Sequence, residues 1–468
     1  MVMQRASDSA VLDAVAVEAL RKRLAGDLVL PQDGSYDGVR KVWNAAYDRY
    51  PAVIVRARDA ADVAQAVRFA RRQGAPLAVR SGGHSMAGHG AVDGGVVVNV
   101  SGMKGISIDP ERRVAWAQPG LTAGEYGEAA QAYGLATPFG DAGTVGISGL
   151  TLGGGIGYLA RKYGLAVDNL LSAQVVTADG ELLTASESEH PDLFWALRGG
   201  GGNFGIVTAF EYRLQPVGTI VGGAVIHEAT ADVLERYYKV AQAAPEGLTT
   251  IAFLMAAPPL PFLPANKVGS LVLMTTFCYT GDVADGMAAV EPLRHIGTLV
   301  GEAVMPMPYT GLYQLTAEGG ISRPHAVRTG FTNGLDRDLA ETLIKHARAM
   351  VSPYDAVQLR PLGGAVSRVP AGATAFAHRH QSMMLSAWGA WIDPSEAAQN
   401  VAWLQRAWAE IGPKMDGAYV NFLENEGPER IKDAYPELTR QRLAAIKGRY
   451  DPTNFFRINQ NIRPAPAA

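Results

Sequence analysis

Eight glycines fall within the eighteen residues GDAGTVGISGLTLGGGIG, from Gly140 to Gly157. No long helix survives such a run, because each glycine in a helix interior costs about 1 kcal/mol relative to alanine. Comparable clusters occur in RSGGHSMAGHG, from Arg80 to Gly90, and in GGGGNFG, from Gly199 to Gly205. Several separate glycine-rich turns in one half of a chain are poor value as connectors. They suit a different task, which is to let backbone amides line a long anionic ligand. Within the first of them His84 follows directly on Gly82 and Gly83, placing an imidazole where that backbone would grip.

With 468 residues the chain is long enough for two or three domains and a large core. Its formal net charge of -3 leaves no electrostatic footprint for nucleic acid. Cys278 is the only cysteine, which excludes an intramolecular disulfide and a thiolate metal cluster. Its setting, LVLMTTFCYTG, predicts a buried strand. The N-terminal MVMQRASDSAVLDAVAVEALRKRLAGD has scattered charges and predicts an amphipathic helix rather than a signal peptide. Nowhere is there a run approaching ~18 uncharged apolar residues, so no membrane span is expected and the chain is taken as soluble and cytoplasmic.

From Ala52 onward AVIVRA, DAADVAQAVRFARRQG and PLAVRSGGH predict a βαβ unit. VVVNVSGM adds a strand, ISIDPERRVAWAQPG a hairpin turning at Asp109 and Pro110, and TAGEYGEAAQAYG a helix. Beyond the glycine-rich centre AQVVTADGELLTAS predicts a strand pair, PDLFWALRG a helix and GIVTAFEYRL a strand. Long apolar strands such as SLVLMTTFCY and QSMMLSAWGAW beside helices such as DLAETLIKHARAM then predict one broad antiparallel sheet with helices on one face. The class is α+β.

The commoner motif readings fail one by one. Gly200, Gly202 and Gly205 have dinucleotide-fingerprint spacing, yet a helix precedes them and a strand follows, the reverse of what that motif requires. GGGIG fails because Tyr158 stands at the third glycine, and no P-loop lysine is present. His378 and His380 in FAHRHQS would share one face of a strand but have no third ligand, so no metal is expected. Glu424 and Glu426 in LENEG read as exposed loop carboxylates, and GISGL lacks the last glycine of a nucleophile elbow.

VRSGGHS, TVGISGLTLGGGIGYLARKYGLAVDN, DLFWALRGGGGNFGIVT and, late in the chain, YVNF with RYDPTNFFRINQNI together resemble the FAD-linked oxidases of the berberine bridge enzyme-like group, within the vanillyl-alcohol oxidase superfamily. The resemblance spans about Val53 to Pro464. It implies a PCMH-type FAD-binding domain built from both ends of the chain, residues 1–217 and 409–468, around an inserted substrate domain, residues 218–408. It implies FAD held covalently through His84. Relatives with a second link carry a cysteine where Ala142 stands, so a single attachment is expected.

The resemblance further implies cofactor contacts at Arg80, Ser81, Gly82, Gly83, Ser85 and Gly88. It adds Thr144, Val145, Gly146, Gly149, Gly154, Gly155, Gly157 and Tyr158, then Gly205, Ile206 and Val207, and finally Tyr419, Asn459 and Asn461. Val145 matches the position where a small side chain admits oxygen. Tyr419 is the expected catalytic residue; as a base it needs its pKa lowered from about 10, with Arg379, His378 and His380 as candidates for that task or for substrate contact. The implied activity is hydride transfer from a small alcohol, sugar or secondary metabolite, with oxygen reduced to hydrogen peroxide. The alternatives are a dehydrogenase using another acceptor and a flavin-binding relative without turnover. Met305, Met307, Tyr309, Tyr313, Met383 and Met384 suggest an apolar substrate cleft, or simply core.

Overall fold

The computed structural model describes residues 12–466. The expected N-terminal helix runs over Ala14–Arg21, with the Asp13 side chain accepting from Val15 N; the portion of that expectation before residue 12 lies outside the described residues. The βαβ unit forms around the helix Ala60–Arg72, whose Asp59 cap accepts from Asp62 N at 3.0 Å. Val63, Ala66, Val67, Phe69 and Ala70 make its buried face at helical spacing. The strand Val96–Asn99 inserts between Val53–Arg56 and Leu77–Arg80, parallel to both, and Asp27–Val29 closes the outer edge antiparallel. All four residues of Val96–Asn99 are buried, which explains their unbroken VVVN run.

A second, antiparallel sheet has the order Ile106–Asp109, Val114–Ala117, Ile206–Arg213, Leu170–Val176, Leu182–Ser186. The third is the broad one. Its seven strands run Leu299–Pro308, Thr219–Glu228, Leu271–Tyr279, Leu248–Ala256, Ala356–Pro361, Met383–Ala390, His325–Thr332, every pair antiparallel. Val357, Leu359, Leu385 and Ala387 share one apolar core with residues of the helices Ala231–Ala243, Val283–Arg294, Arg337–Ala347 and Ala397–Ile411. Because strand side chains alternate, Gln358, Arg360, Ser386 and Trp388 go to the other face. That face is covered too, and from it Arg360 reaches Asp141 in the glycine-rich stretch at 2.8 Å.

The chain's last stretch packs against the glycine cluster at 199–205. Lys447 Nζ, wholly buried, donates to Asn203 O at 2.7 Å and Phe456 O at 2.8 Å and meets Asp451 Oδ2 at 2.9 Å. Satisfying all three ammonium protons is what makes so deep a charge tolerable. Cys278 is buried in the strand Leu271–Tyr279, where burial pushes its thiol up and keeps it unreactive. Among the described residues no helix is long and apolar enough to cross a membrane.

Candidate active site

One cleft lies where these pieces meet, with about 1610 Å³ of space, part of it open to solvent. Its walls are the loop 81–86, the stretch 145–150, the turn 201–203 with the start of Ile206–Arg213, and the late segments 419–423 and 458–460. Two of the loops touch through glycine alone: a Cβ at Gly146 would stand 2.6 Å from Gly82 N and from Ser81 Oγ, and one at Gly82 would collide with Gly146 N. Only residues without side chains permit this approach.

Of the residues expected to contact the cofactor, the structure brings Ser81, Gly82, Gly83, His84, Ser85, Val145, Gly146, Gly149, Gly205, Ile206, Val207, Tyr419 and Asn459 into this cleft. Ala142 lines it as well. The others lie outside its lining. Arg80 turns its guanidinium to the Val39 carbonyl. Gly88 packs under the Tyr47 ring, and Thr144 lines a separate hollow beside Gly320. Gly154, Gly155 and Gly157 stand behind the wall: a Cβ at Gly154 would meet the Phe376 ring at 2.8 Å, and Gly155 N donates to Tyr419 Oη at 3.1 Å. A Cβ at Gly157 would strike the Phe139 carbonyl. Tyr158 is buried, its hydroxyl 2.8 Å from Thr276 Oγ1, and Asn461 is absent from the lining. The glycines there allow close packing beneath the loop.

The cleft fits a flavin dinucleotide. Leu150, Ile156, Ile206, Phe456 and Ile458 provide apolar wall for flat rings. At Gly149 and Gly202 an added Cβ would meet nothing within 4 Å, so each leaves main chain open to a neighbour. Asn459 Oδ1 is buried without a hydrogen-bond partner, an arrangement that costs about 1–3 kcal/mol unless a ligand answers it. His84 borders the same space, and burial, with His325 nearby, pushes its imidazole down to about 4. The ring is therefore neutral at physiological pH and has a free lone pair.

Tyr419 is placed as expected but not in the expected state. Its hydroxyl accepts from Gly155 N at 3.1 Å and from Asn421 Nδ2 at 2.9 Å, yet burial outweighs these bonds and raises its pKa above 10.0. The residues that were to lower it are elsewhere. FAHRHQS is not a strand. Arg379 binds Asp168 through two bonds of 2.7 and 2.8 Å, His378 Nε2 is bonded to the Asp433 and Ala434 carbonyls, and His380 is exposed. Tyr419 remains a phenol. Glu424 and Glu426, read as exposed, are instead largely covered and share Arg328, at 2.7 and 3.2 Å. Burial lifts Glu424 to about 7 against the pull of that arginine.

Sequence reasoning missed the polar group on the sheet that stands behind two lining residues, Asp141 and Phe422. Arg360 donates to Asp141 Oδ2 at 2.8 Å and to Gln358 Oε1 at 2.9 Å, and its guanidinium lies 5.5 Å from the centre of the Phe422 ring. Ser386 donates to Gln358 Oε1 at 3.3 Å and accepts from Trp388 Nε1 at 2.8 Å. Asp141 and Phe422 line the cleft. The only available signal was the alternation QLR within AVQLRP, which puts two polar side chains on one face of a buried strand. The suggested apolar residues do not assemble there: Met305 is exposed, Met383 faces the helices, and Tyr309 and Tyr313 pack in the core beneath the loops. Met384 alone reaches the cluster around Tyr419.

Comparisons with known proteins agree with this geometry. A family model of an FAD-binding domain matches residues 51–186, and one described as berberine and berberine like matches residues 418–463. An FAD-linked oxidoreductase of Bacillus subtilis, YgaK, is 30% identical over 456 residues, covering 95% of this chain and 98% of its own. The (R)-6-hydroxynicotine oxidase of Paenarthrobacter nicotinovorans is 30% identical over 456 residues, covering 94% and 97%. Among solved structures, 6-hydroxy-D-nicotine oxidase from Arthrobacter nicotinovorans superposes with a TM-score of 0.82 at 28% identity, over 94% of this chain and 98% of that one.

Proposed function

Because this chain belongs to the berberine bridge enzyme-like family of FAD-linked oxidoreductases, we propose that it is an oxidase that carries FAD on a single covalent bond to His84. The observation that carries this reading is the meeting of a neutral His84, the touching Gly82 and Gly146 loops and the 419–423 segment in one cleft. Ala142 lines the cleft and has no sulfur to make a second bond. FAD, when bound, supplies a two-electron acceptor for hydride from a substrate C–H, which oxygen regenerates with release of hydrogen peroxide.

The chain's own groups then bind, orient and move a proton. Gly82, Gly83, Gly146 and Gly149 would offer backbone to the cofactor's phosphates, Ile206 and Val207 would hold its adenosine side, and Asn459 would lie close to the flavin. Val145, small and at the cleft wall, leaves room for oxygen. Tyr419 is not the base: its proton stays on and, with two bonds already accepted at its oxygen, the phenol O–H donates to and orients the substrate oxygen. The proton lost from a substrate O–H goes to Asp141 Oδ1, whose partner oxygen is fixed by Arg360. Val420, Asn421 and Phe422 at the cleft wall suit a small neutral organic molecule, either an alcohol, a sugar or a hydroxylated secondary metabolite.

The test has two arms. Acid denaturation of the purified protein should leave yellow colour on the polypeptide, and His84→Ala should release it. Anaerobic mixing with alcohols, sugars and hydroxylated heterocycles should bleach the flavin with at least one of them, and air should restore the colour with stoichiometric hydrogen peroxide. A reduced flavin that air leaves colourless, while an artificial acceptor reoxidises it, would replace the oxidase by a dehydrogenase.

A further inference from the structure

The segment 42–45 lies between the His84 loop and the edge strand of the seven-stranded sheet, and its indole is the centre of a stack. The Trp43 ring faces His84 at 4.9 Å between centroids and 22° between planes, and faces His325 at 4.2 Å and 20°. His325 Nδ1–H donates to the Arg323 carbonyl at 2.7 Å, which fixes that ring in turn, and Trp388 stands edge-on to it at 6.3 Å and 89°. Main chain holds the indole in place from both sides. Trp43 N donates to Gly83 O at 3.1 Å, and Ser322 Oγ donates to Trp43 O at 2.8 Å.

The next residue ties the same pieces together. Asn44, wholly buried, donates through Nδ2 to Met86 O at 2.8 Å and His325 O at 3.2 Å, and accepts from His325 N at 3.0 Å. Its amide thus joins the loop that carries His84 to the strand His325–Thr332. Trp43 Nε1, by contrast, is buried without an acceptor. What the indole contributes to its neighbours is therefore its face and not a hydrogen bond. Stacked rings at these separations hold one another against rotation.

We propose that Trp43 is a positioning residue for cofactor attachment: pinned between His84 and His325, it sets the plane of the His84 imidazole so that a ring nitrogen can reach the flavin. The inference rests on the reading that His84 bears the link. In that attachment an imidazole nitrogen bonds to the 8α-methyl carbon as one methyl C–H and the imidazole N–H are given up as protons. The two electrons released reduce the flavin ring, and molecular oxygen takes them off as hydrogen peroxide. A nitrogen free to swing out of line loses the orientation such a displacement requires.

The experiment compares wild type, Trp43→Ala and Trp43→Phe. Two quantities are read on each purified protein: total bound FAD, and the fraction of it that stays with the polypeptide in acid, followed over time after FAD is added. Trp43→Ala should still bind FAD but attach it roughly tenfold more slowly or worse, as misoriented reactants do. Trp43→Phe, which keeps a ring face and loses no hydrogen bond, should restore most of the rate. Attachment at the wild-type rate in Trp43→Ala overturns the proposal, and so does a phenylalanine variant no better than alanine. Should Trp43→Ala take up no FAD, Trp43→Phe decides: normal attachment supports the proposal, while slow attachment or failure to bind FAD overturns it. A wild type that surrenders all its FAD to acid overturns the reading of His84 and this inference together, whereas covalent wild type with an unaffected Trp43→Ala overturns the inference alone.

Discussion

The two sides of the cleft are built on opposite plans. On the loop side, Gly82, Gly146, Gly149 and Gly202 present main chain, and specificity comes from how closely backbones can approach. On the sheet side Asp141 and Phe422 line the cleft, backed by a connected set of polar and aromatic groups, Arg360, Gln358, Ser386 and Trp388, on a rigid strand pair with Gln358 directly opposite Ser386. A backbone wall suits a cofactor that never changes. A side-chain wall can be altered one residue at a time while the loop backbones keep their approach, which is what a substrate site demands. The difference teaches that changes on the two sides should fail differently, in cofactor retention on one and in stability or turnover on the other.

Gly146→Leu is expected to have the largest effect. Its Cβ would lie 2.6 Å from Gly82 N, and such overpacking costs at least about 1–3 kcal/mol, so bound FAD should fall by roughly tenfold or more. Absorbance at the flavin band per polypeptide measures it. Normal FAD content would remove the backbone wall from the argument.

Arg360→Met comes next. Leaving Asp141 without its partner at a mostly covered site should destabilise the protein by about 3–5 kcal/mol in denaturant unfolding, with covalent flavin retained in the folded fraction. Adding Asp141→Leu to it should recover much of the stability while abolishing turnover. Loss of covalent flavin in either variant would erase the proposed separation between the walls.

Tyr419→Phe tests the seam where the walls meet. Two donors, Gly155 N and Asn421 Nδ2, lose their acceptor, at a cost of about 1–3 kcal/mol. Because the phenol stays protonated, the acid limb of the pH–rate profile should keep its shape as the rate falls. A profile that loses a titration would instead make Tyr419 the base.

The smallest expected effect is a pH dependence. Folded His325 titrates at about 4 against an ordinary 6.5, because burial disfavours its charged form. The unfolded chain therefore binds more protons between those values, and stability should decline as pH falls from 6.5 toward 4. The melting temperature of His325→Gln should depend less on pH than that of wild type across this window. Equal slopes would show that His325 is not held neutral by burial.

Much of this was legible along the chain because it depends on local chemistry. Asp59 and Thr122 cap the helices they precede, the VVVN run becomes a central parallel strand, and RSGGHS places His84 at a strand's end beside the cleft. What the sequence could not separate was glycine open to the cleft from glycine packed against protein: Gly149 and Gly154 sit five residues apart in one motif, the first at the cleft wall and the second against the Phe376 ring. LENEG looked like a solvated loop because its partner, Arg328, lies 96 residues away from Glu424.

By itself, then, the sequence determined where the chain must turn tightly, which segments alternate and which imidazole stands among the glycines, since backbone freedom and side-chain period are properties of neighbours. Only the tertiary structure decided the protonation of Tyr419 and His84, the Arg360–Asp141 pair and the indole between two histidines. Those depend on burial and on contacts between residues up to 282 positions apart, as Trp43 and His325 are, and no local pattern encodes a dielectric or a distant partner.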